Sequence, residues 1–433
     1  MQLFTIRQPR IEAKEYRLED FGAVGDGLRN NSSAFYRAIE AAHKTGGRVT
    51  VPNGIFLTGP IEMKSGVDLH LSDNATIIFI HHEREYPLYD SGDCGKNKRI
   101  HKPMISMHGI HDAAITGRGT IDGNGLLWHR VEKRHVATRH WKNLKMFDYG
   151  VYSEDKWYPS EHIQRKYEKN VDTRPCMIAV TESTRILISD VRIMNSPKEE
   201  LYLYDTSDVT VHGVNILSPY YNFFDDGLVI DASKRIHIHH CNFYTGGNSV
   251  VLKAQKLFRE IDPVCRDVYI HDCHFDYGEN AFVIGREIDG TVSGLFMENC
   301  TFVNSTHGIA IYGNSEHKGT VKNLEFYHLE FVNIRHNAFL LKMDDDGIGE
   351  DLPSVSDIVF RRCHNVSIML PIHIEGFKNC PSAVRRLHFE KCTMGKWTAE
   401  GKNGVDTKLN LEFNVVQYCV DITNNEEVIG ETI

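Results

Sequence analysis

The chain has 433 residues, with 49 Lys and Arg against 58 Asp and Glu, for a net charge of −9. Such a surface offers no counter-charge for phosphate backbones or anionic lipid, so neither nucleic acid nor membrane is an expected partner. The first ten residues hold no apolar run long enough for a signal peptide and nothing later approaches a membrane span, which makes a cytoplasmic location the expectation.

No Pro/Ser-rich or single-charge stretch marks a linker, so one elongated domain over residues 1–433 is expected. Its N-terminal cap ends near residue 47. Gly22, Gly25 and Gly27 lie in a Gly-rich loop whose spacing does not fit a nucleotide-binding turn. Asn31-Ser32-Ser33 then caps a helix with Ala34, Phe35, Ala38, Ile39 and Ala42 on one face, and Gly46-Gly47 stops it. From Arg48 short β segments follow, among them Val67-Asp-Leu-His-Leu71 and Thr76-Ile-Ile-Phe-Ile80. A long irregular insertion over 129–172, rich in His, Lys, Trp and Tyr, interrupts them and is expected to wall one end of a cleft.

After Arg174-Pro175 an internal repeat emerges. Apolar residues recur at relative positions 0, 2, 5 and 7, as in Ile186/Ile188/Val191/Ile193, Ile236/Ile238/Cys241/Phe243 and Leu295/Met297/Cys300/Phe302, at intervals of about 23 to 34 residues. Each repeat carries one more apolar strand, such as Leu228-Val-Ile230 or Val250-Val-Leu252. Alternating strands joined by small-residue bends, with no long helices between them, predict an all-β solenoid: a parallel β-helix of single strands with a short N-terminal capping helix. Cys241, Cys273, Cys300, Cys363 and Cys392 occupy one repeat position, so they are expected as reduced, buried core thiols rather than zinc ligands, for which a single file is the wrong shape. Twenty-four histidines include His237-Ile-His239-His240, but no carboxylate pattern beside them calls for a metal; neither metal nor cofactor is expected.

Over most of its length the chain resembles the family-28 glycoside hydrolases, the polygalacturonase family. The resemblance rests on Asp20-Phe-Gly-Ala-Val-Gly-Asp-Gly27, Gly119-Thr-Ile-Asp-Gly-Asn-Gly-Leu-Leu-Trp128, Arg174-Pro175, Asn195-Ser196-Pro197 and the order of coils thereafter. It implies a right-handed β-helix that hydrolyses galacturonan-type bonds by inversion, without metal. The catalytic signatures depart from the family. Its Asn-Thr-Asp-Gly becomes Phe224-Asp225-Asp226-Gly227, keeping one aspartate at Asp226; its Gly-Asp-Asp becomes Gly246-Gly247-Asn248; its Gly-His-Gly histidine falls at Glu279, and its Arg-Ile-Lys pair at Ala310 and Tyr312.

Glycoside hydrolysis needs one group to protonate the departing oxygen and a carboxylate to activate water or attack the sugar. Asp226, Asp225 and Glu279 are the catalytic candidates, with Asp226 expected as the base. If Glu279 stands two coils from the aspartates, the separation along the axis is roughly 9.6 Å, from twice the strand spacing. Glu199 and Glu200, one coil before Asp225 and Asp226, offer a second acid pair at about one spacing, nearer the roughly 5–5.5 Å of retaining enzymes. Asn248 is expected to bind a sugar hydroxyl, with Glu199 and Tyr312 beside it, while Lys253, Arg286 and Lys342 are placed to receive a uronate carboxylate. For Lys253 and Arg286 the alternative is a structural charge ladder with Glu287 or Asp231; for His307 it is a surface turn. The leading expectation is an exo-acting hydrolase of oligosaccharides, with an inactive carbohydrate-binding protein and a lyase or epimerase, using Lys253, Arg286 or Tyr312 as base, as the alternatives.

Overall fold

A computed structural model describes residues 4–90, 99–125, 128, 173–218, 226–257, 262–345, 347–348, 351–368, 371–395, 414–425 and 427–430. The insertion at 129–172 and Asp225 lie outside the described residues. Three long sheets of 14, 11 and 11 strands form a right-handed parallel β-helix. Each coil gives one strand to each sheet, as with Lys234–His239, Asn242–Tyr244 and Val250–Ala254, and the next coil repeats the order. Pairing is parallel along the solenoid; among the described strands, Leu88–Asp90 with Arg99–His101 and Val420–Asn424 with Glu427–Gly430 pair antiparallel.

The repeat seen in the sequence is the interior. Ile236, Ile238, Cys241 and Phe243 are all buried, as are their equivalents one coil later, Val268, Ile270, Cys273 and Phe275. Residues in register on adjacent strands sit about 4.8 Å apart, so equal side chains stack. Phe243, Phe275, Phe302 and Phe331 form such a stack, with ring centroids 5.0, 4.9 and 4.9 Å apart. The nine described cysteines are free thiols; Cys241, Cys273, Cys300 and Cys363 are buried and Cys392 half-buried. The residue before each member of this column (His240, Asp272, Asn299, Arg362 and Lys391) turns the chain in the left-handed region.

The capping helix spans Ser32–His43 and buries Ala34, Phe35, Ala38, Ile39 and Ala42, the face expected from the sequence. Its cap differs in detail. The Asn31 amide is drawn into the preceding loop, accepting from Val24 N and donating to the carbonyls of Val24, Arg29 and Leu57, while Asn30 Oδ1 accepts from Ser32 N.

Candidate active site

The resemblance motifs meet in space at the turns between the second and third sheets. Asn195 Nδ2 donates to Asp122 Oδ1 at 3.2 Å, and the buried Arg174 guanidinium donates to the Pro197 carbonyl. A Cβ on Gly125 would stand 2.4 Å from Ser196 O, so the Gly-Asn-Gly segment passes where only a bare backbone fits.

Just before the third-sheet strands, one residue per coil forms an outward column. Glu200 N donates to Asp226 O, Gly227 N to Asn248 O and Ser249 N to Asn280 O, and Asn280, His307 and Asn337 pair in register. The column therefore reads Glu199, Asp226, Asn248, Asn280, His307, Asn337. Two sequence expectations change here. Glu279 stacks on Gly247, its N donating to that carbonyl, so Asn280 rather than Glu279 is the register equivalent of Asp226. His307 is no surface turn: it is half-buried and opens the strand His307–Gly313.

Side-chain amides connect the column. Tyr312 Oη donates to Asn280 Oδ1 at 3.3 Å, Asn280 Nδ2 to Asn248 Oδ1 at 2.7 Å, and Asn248 Nδ2 to Asp226 Oδ1 at 2.8 Å. Asn248 N reaches the same oxygen at 3.2 Å. Because Asn248 Oδ1 is engaged by Asn280, its amide group faces Asp226. With Oδ1 accepting twice, a proton on Asp226 resides on Oδ2. Asn248, expected to hold a sugar hydroxyl, thus has both ends of its side chain committed within the column.

Electrostatics separates the neighbouring carboxyls. Burial raises Asp226 to about 6, against the pull of Lys253 and the Asn248 donors, and the charge of Glu199 adds to the rise. Burial also opposes ionisation of Glu199, but Lys198 Nζ at 2.9 Å outweighs it and holds the carboxyl below its ordinary range. Glu200, wholly buried, is pushed up to about 8; its Oε1 accepts from Ser196 N. Asp231, two columns along, is raised by burial to about 7 despite accepting from Gln255 N and Tyr202 Oη.

Lys253 stands among these acids, 3.4 Å from Glu287, and the charges of Glu287, Asp226, Asp231 and Glu199 outweigh its burial and raise its pKa. Arg286 pairs with Asp344 at 2.6 Å and lies over the Tyr312 ring at 4.7 Å. Both cations are therefore in ion pairs, as the charge-ladder alternative expected, though the partner of Arg286 is Asp344. Lys342 is exposed, in register between Tyr312 and Glu375. Between the polar column and these charges runs an outward apolar stripe, Val229, Val251, Val283, Ala310 and Leu340, flanked by Tyr202 and Tyr312. Lys198 and Asn280 escaped the sequence reading; a lysine beside the acid one coil before Asp226 was the available signal for the first.

The profile of glycosyl hydrolases family 28 matches residues 42–346. A Vitis vinifera relative named "Probable polygalacturonase" is 26% identical over 71% of this chain and 58% of its own length, so the match takes in little more than half of that protein. An endo-polygalacturonase of Pectobacterium carotovorum subsp. carotovorum is 24% identical over 71% of this chain and 70% of its own. Among solved structures, the Thermotoga maritima exopolygalacturonase superposes with a TM-score of 0.76 at 23% identity, covering 98% of this chain and 94% of that one. With more than half its length matched and the β-helix in common, the chain belongs to the family-28 glycosyl hydrolases.

Proposed function

We propose that this protein hydrolyses O-glycosidic bonds in pectin-type oligosaccharides, with Asp226 as the acid and Glu199 as the base. The carrying observation is the opposed protonation of two carboxyls on adjacent coils: Lys198 keeps Glu199 ionised, while burial keeps Asp226 protonated to about pH 6. Asp226 Oδ2 gives its proton to the departing oxygen, and Glu199 takes one from the attacking water, the inverting course that the family resemblance implies. The one-coil spacing of about 4.8 Å is nearer the roughly 5–5.5 Å of retaining pairs, so the configuration of the product decides between base and nucleophile. This reverses the base role expected of Asp226. The amide relay from Tyr312 holds the Asp226 carboxyl in one orientation, and the apolar stripe offers a floor for the hydrophobic face of a sugar ring. In this role kcat/KM falls above about pH 6, and Glu199→Gln abolishes turnover while leaving substrate binding. A product that retains the anomeric configuration would instead make Glu199 a nucleophile and overturn its role as base.

Exo action on imported fragments in the cytoplasm completes the proposal. A Dickeya chrysanthemi relative, 22% identical over 79% of this chain, is named an exo-poly-alpha-D-galacturonosidase, which supports release from chain ends. The free buried thiols support a reducing compartment. Random internal cleavage of long oligogalacturonides would exclude the exo reading, and recovery in the extracellular fraction the cytoplasmic one. The loss of both acids at Gly247 and Asn248 favours one other reading, a binding protein without turnover; saturable oligosaccharide binding with no new reducing ends identifies it.

A further inference from the structure

A second cluster of titratable groups lies on the outward face of the first sheet, away from the polar column. His212, His239 and His271 hold equivalent positions on consecutive coils. His237 precedes His239 by two residues and so shares its face. His240 turns the chain just after, its ring 5.2 Å from that of His239. The rings of His237 and His239 stack at 4.3 Å and those of His239 and His271 at 5.0 Å. Tyr269 stacks on His237 at 5.1 Å and on Phe296 at 5.5 Å, forming a wall that holds the imidazole in place.

The nitrogens converge. His237 Nε2 and His271 Nε2 face each other at 2.9 Å, and ligand atoms of His237, His239 and His271 all lie within 4.8 Å of one another. Two ring nitrogens at that separation cannot both carry hydrogen, so one lone pair points into the gap. Asp272 decides which: its Oδ2 lies 2.6 Å from His271 Nδ1, fixing the hydrogen there and leaving Nε2 bare. Carboxylates orient metal-bound histidines in this way.

We propose that His237, His239 and His271 form a transition-metal site, with Asp272 as the positioning residue for His271, that takes a divalent ion of the Cu2+ or Ni2+ type. Two nitrogens about 2.05 Å from one ion stand about 2.9 Å apart at a right angle and about 3.3 Å apart at the tetrahedral angle. The 2.9 Å between His237 Nε2 and His271 Nε2 is the hydrogen bond they share without a metal, and it brings the two nitrogens within reach of either bite. The all-imidazole donor set is of the kind that tetragonal Cu2+ and Ni2+ sites use, with Cu2+ favoured over Zn2+ by the Irving–Williams order. In the metal-bound form His237 carries its hydrogen on Nδ1 and turns the Nε2 lone pair to the ion. The ion ties the coil of His237 and His239 to the coil of His271, so binding stabilises the solenoid.

The test uses untagged full-length protein stripped with chelator and titrated calorimetrically with Ni2+, Cu2+ and Zn2+. One equivalent of Ni2+ or Cu2+ binds per chain, the melting temperature rises on saturation, and the Cu2+ form shows nitrogen hyperfine structure in its EPR spectrum. H271Q weakens binding by about 100-fold or more, and D272N by about 10–100-fold. Melting of each variant in chelator establishes that it folds; should H271Q not fold, H239Q and D272N carry the same comparison. Affinity unchanged in H271Q and D272N, absence of binding below millimolar metal, or a preference for Zn2+ over both other ions overturns the proposal.

Discussion

The interior aromatic stack and the outward polar column are built by the same coils, yet they use the repeat in opposite ways. Inside, Phe243, Phe275, Phe302 and Phe331 repeat one residue type because each position meets the same surroundings, the coil above and the coil below. Outside, the column runs from two acids, Glu199 and Asp226, through Asn248 and Asn280 to His307 and Asn337, so the residue type is not kept from end to end. There each residue is the electrostatic environment of the next, so Lys198 beside one acid and burial of its neighbour separate two similar carboxyls. In this solenoid the stability is periodic and the chemistry is not.

The sharpest way to break that contrast is to exchange the effects. Asp226→Asn removes the proton donor while keeping shape and the Asn248 contacts, and it lowers kcat by about 10²–10⁴-fold. Above pH 6 it also removes a half-buried charge whose ionisation the site opposes, so its melting temperature at pH 8 falls no lower than that of the wild type. Phe302→Ala does the reverse. It opens a cavity between Phe275 and Phe331 and costs about 3–5 kcal/mol of stability, with kcat unchanged at temperatures where the variant is folded. Chemical denaturation and initial rates on both variants read the two outcomes. A large stability loss in Asp226→Asn would show that the column is structural after all.

This contrast also explains what the sequence disclosed. The interior was legible as apolar residues at positions 0, 2, 5 and 7, because burial admits few residue types and the period survives insertions between coils. Asp226 was legible through its neighbours Gly227 and Leu228. Its partner was legible only as one of two, Glu199 or Glu200, since nothing in the string Lys198-Glu199-Glu200 says which acid meets the lysine and which is buried alone. The register was misread by one residue at Gly278-Glu279-Asn280, where an acid drew more attention than the amide that aligns with Asp226. The histidine cluster was missed for the same reason: His271 and Asp272 lie more than thirty positions beyond His237 and meet it only when the coils are in register.

Between the two extremes stand two buried acids that take no part in the proposed chemistry, Asp231 and Glu200, which titrate in the same direction as Asp226. Asp226, Asp231 and Glu200 are raised by burial to about 6, 7 and 8, whereas in the unfolded chain such groups titrate near pH 4. These three acids therefore hold more protons in the folded protein than in the unfolded chain between about pH 4 and 8. Stability from these groups is fully present at the acid end of that window, declines as pH rises through it, and is level above pH 8. Glu200→Gln mimics the protonated acid and flattens the upper part of the decline, a gain on the order of a few kcal/mol at pH 8.5 that vanishes near pH 4. Urea denaturation at stepped pH measures it. A stability curve that keeps its full slope between pH 6 and 8 in Glu200→Gln would place the titration elsewhere.

The smallest expected effect tests the interior rule at its least apolar point. Each thiol of the cysteine column lies against the carbonyl two residues earlier: Cys241 to His239 O, Cys273 to His271 O and Cys300 to Glu298 O, all at 3.3 Å. On other coils Val191, Val214 and Leu329 occupy this place, which shows that an apolar side chain suffices. If the thiol acts as a small hydrophobe, Cys300→Val is nearly neutral and Cys300→Ser loses about 1 kcal/mol, because the hydroxyl is costlier to bury even with Glu298 O within reach. If the contact to that carbonyl is what matters, the order reverses, since Ser donates a stronger hydrogen bond than Cys and Val donates none. Melting temperatures of the two variants, measured together at one pH, decide whether the column obeys the same rule as the phenylalanine stack beside it.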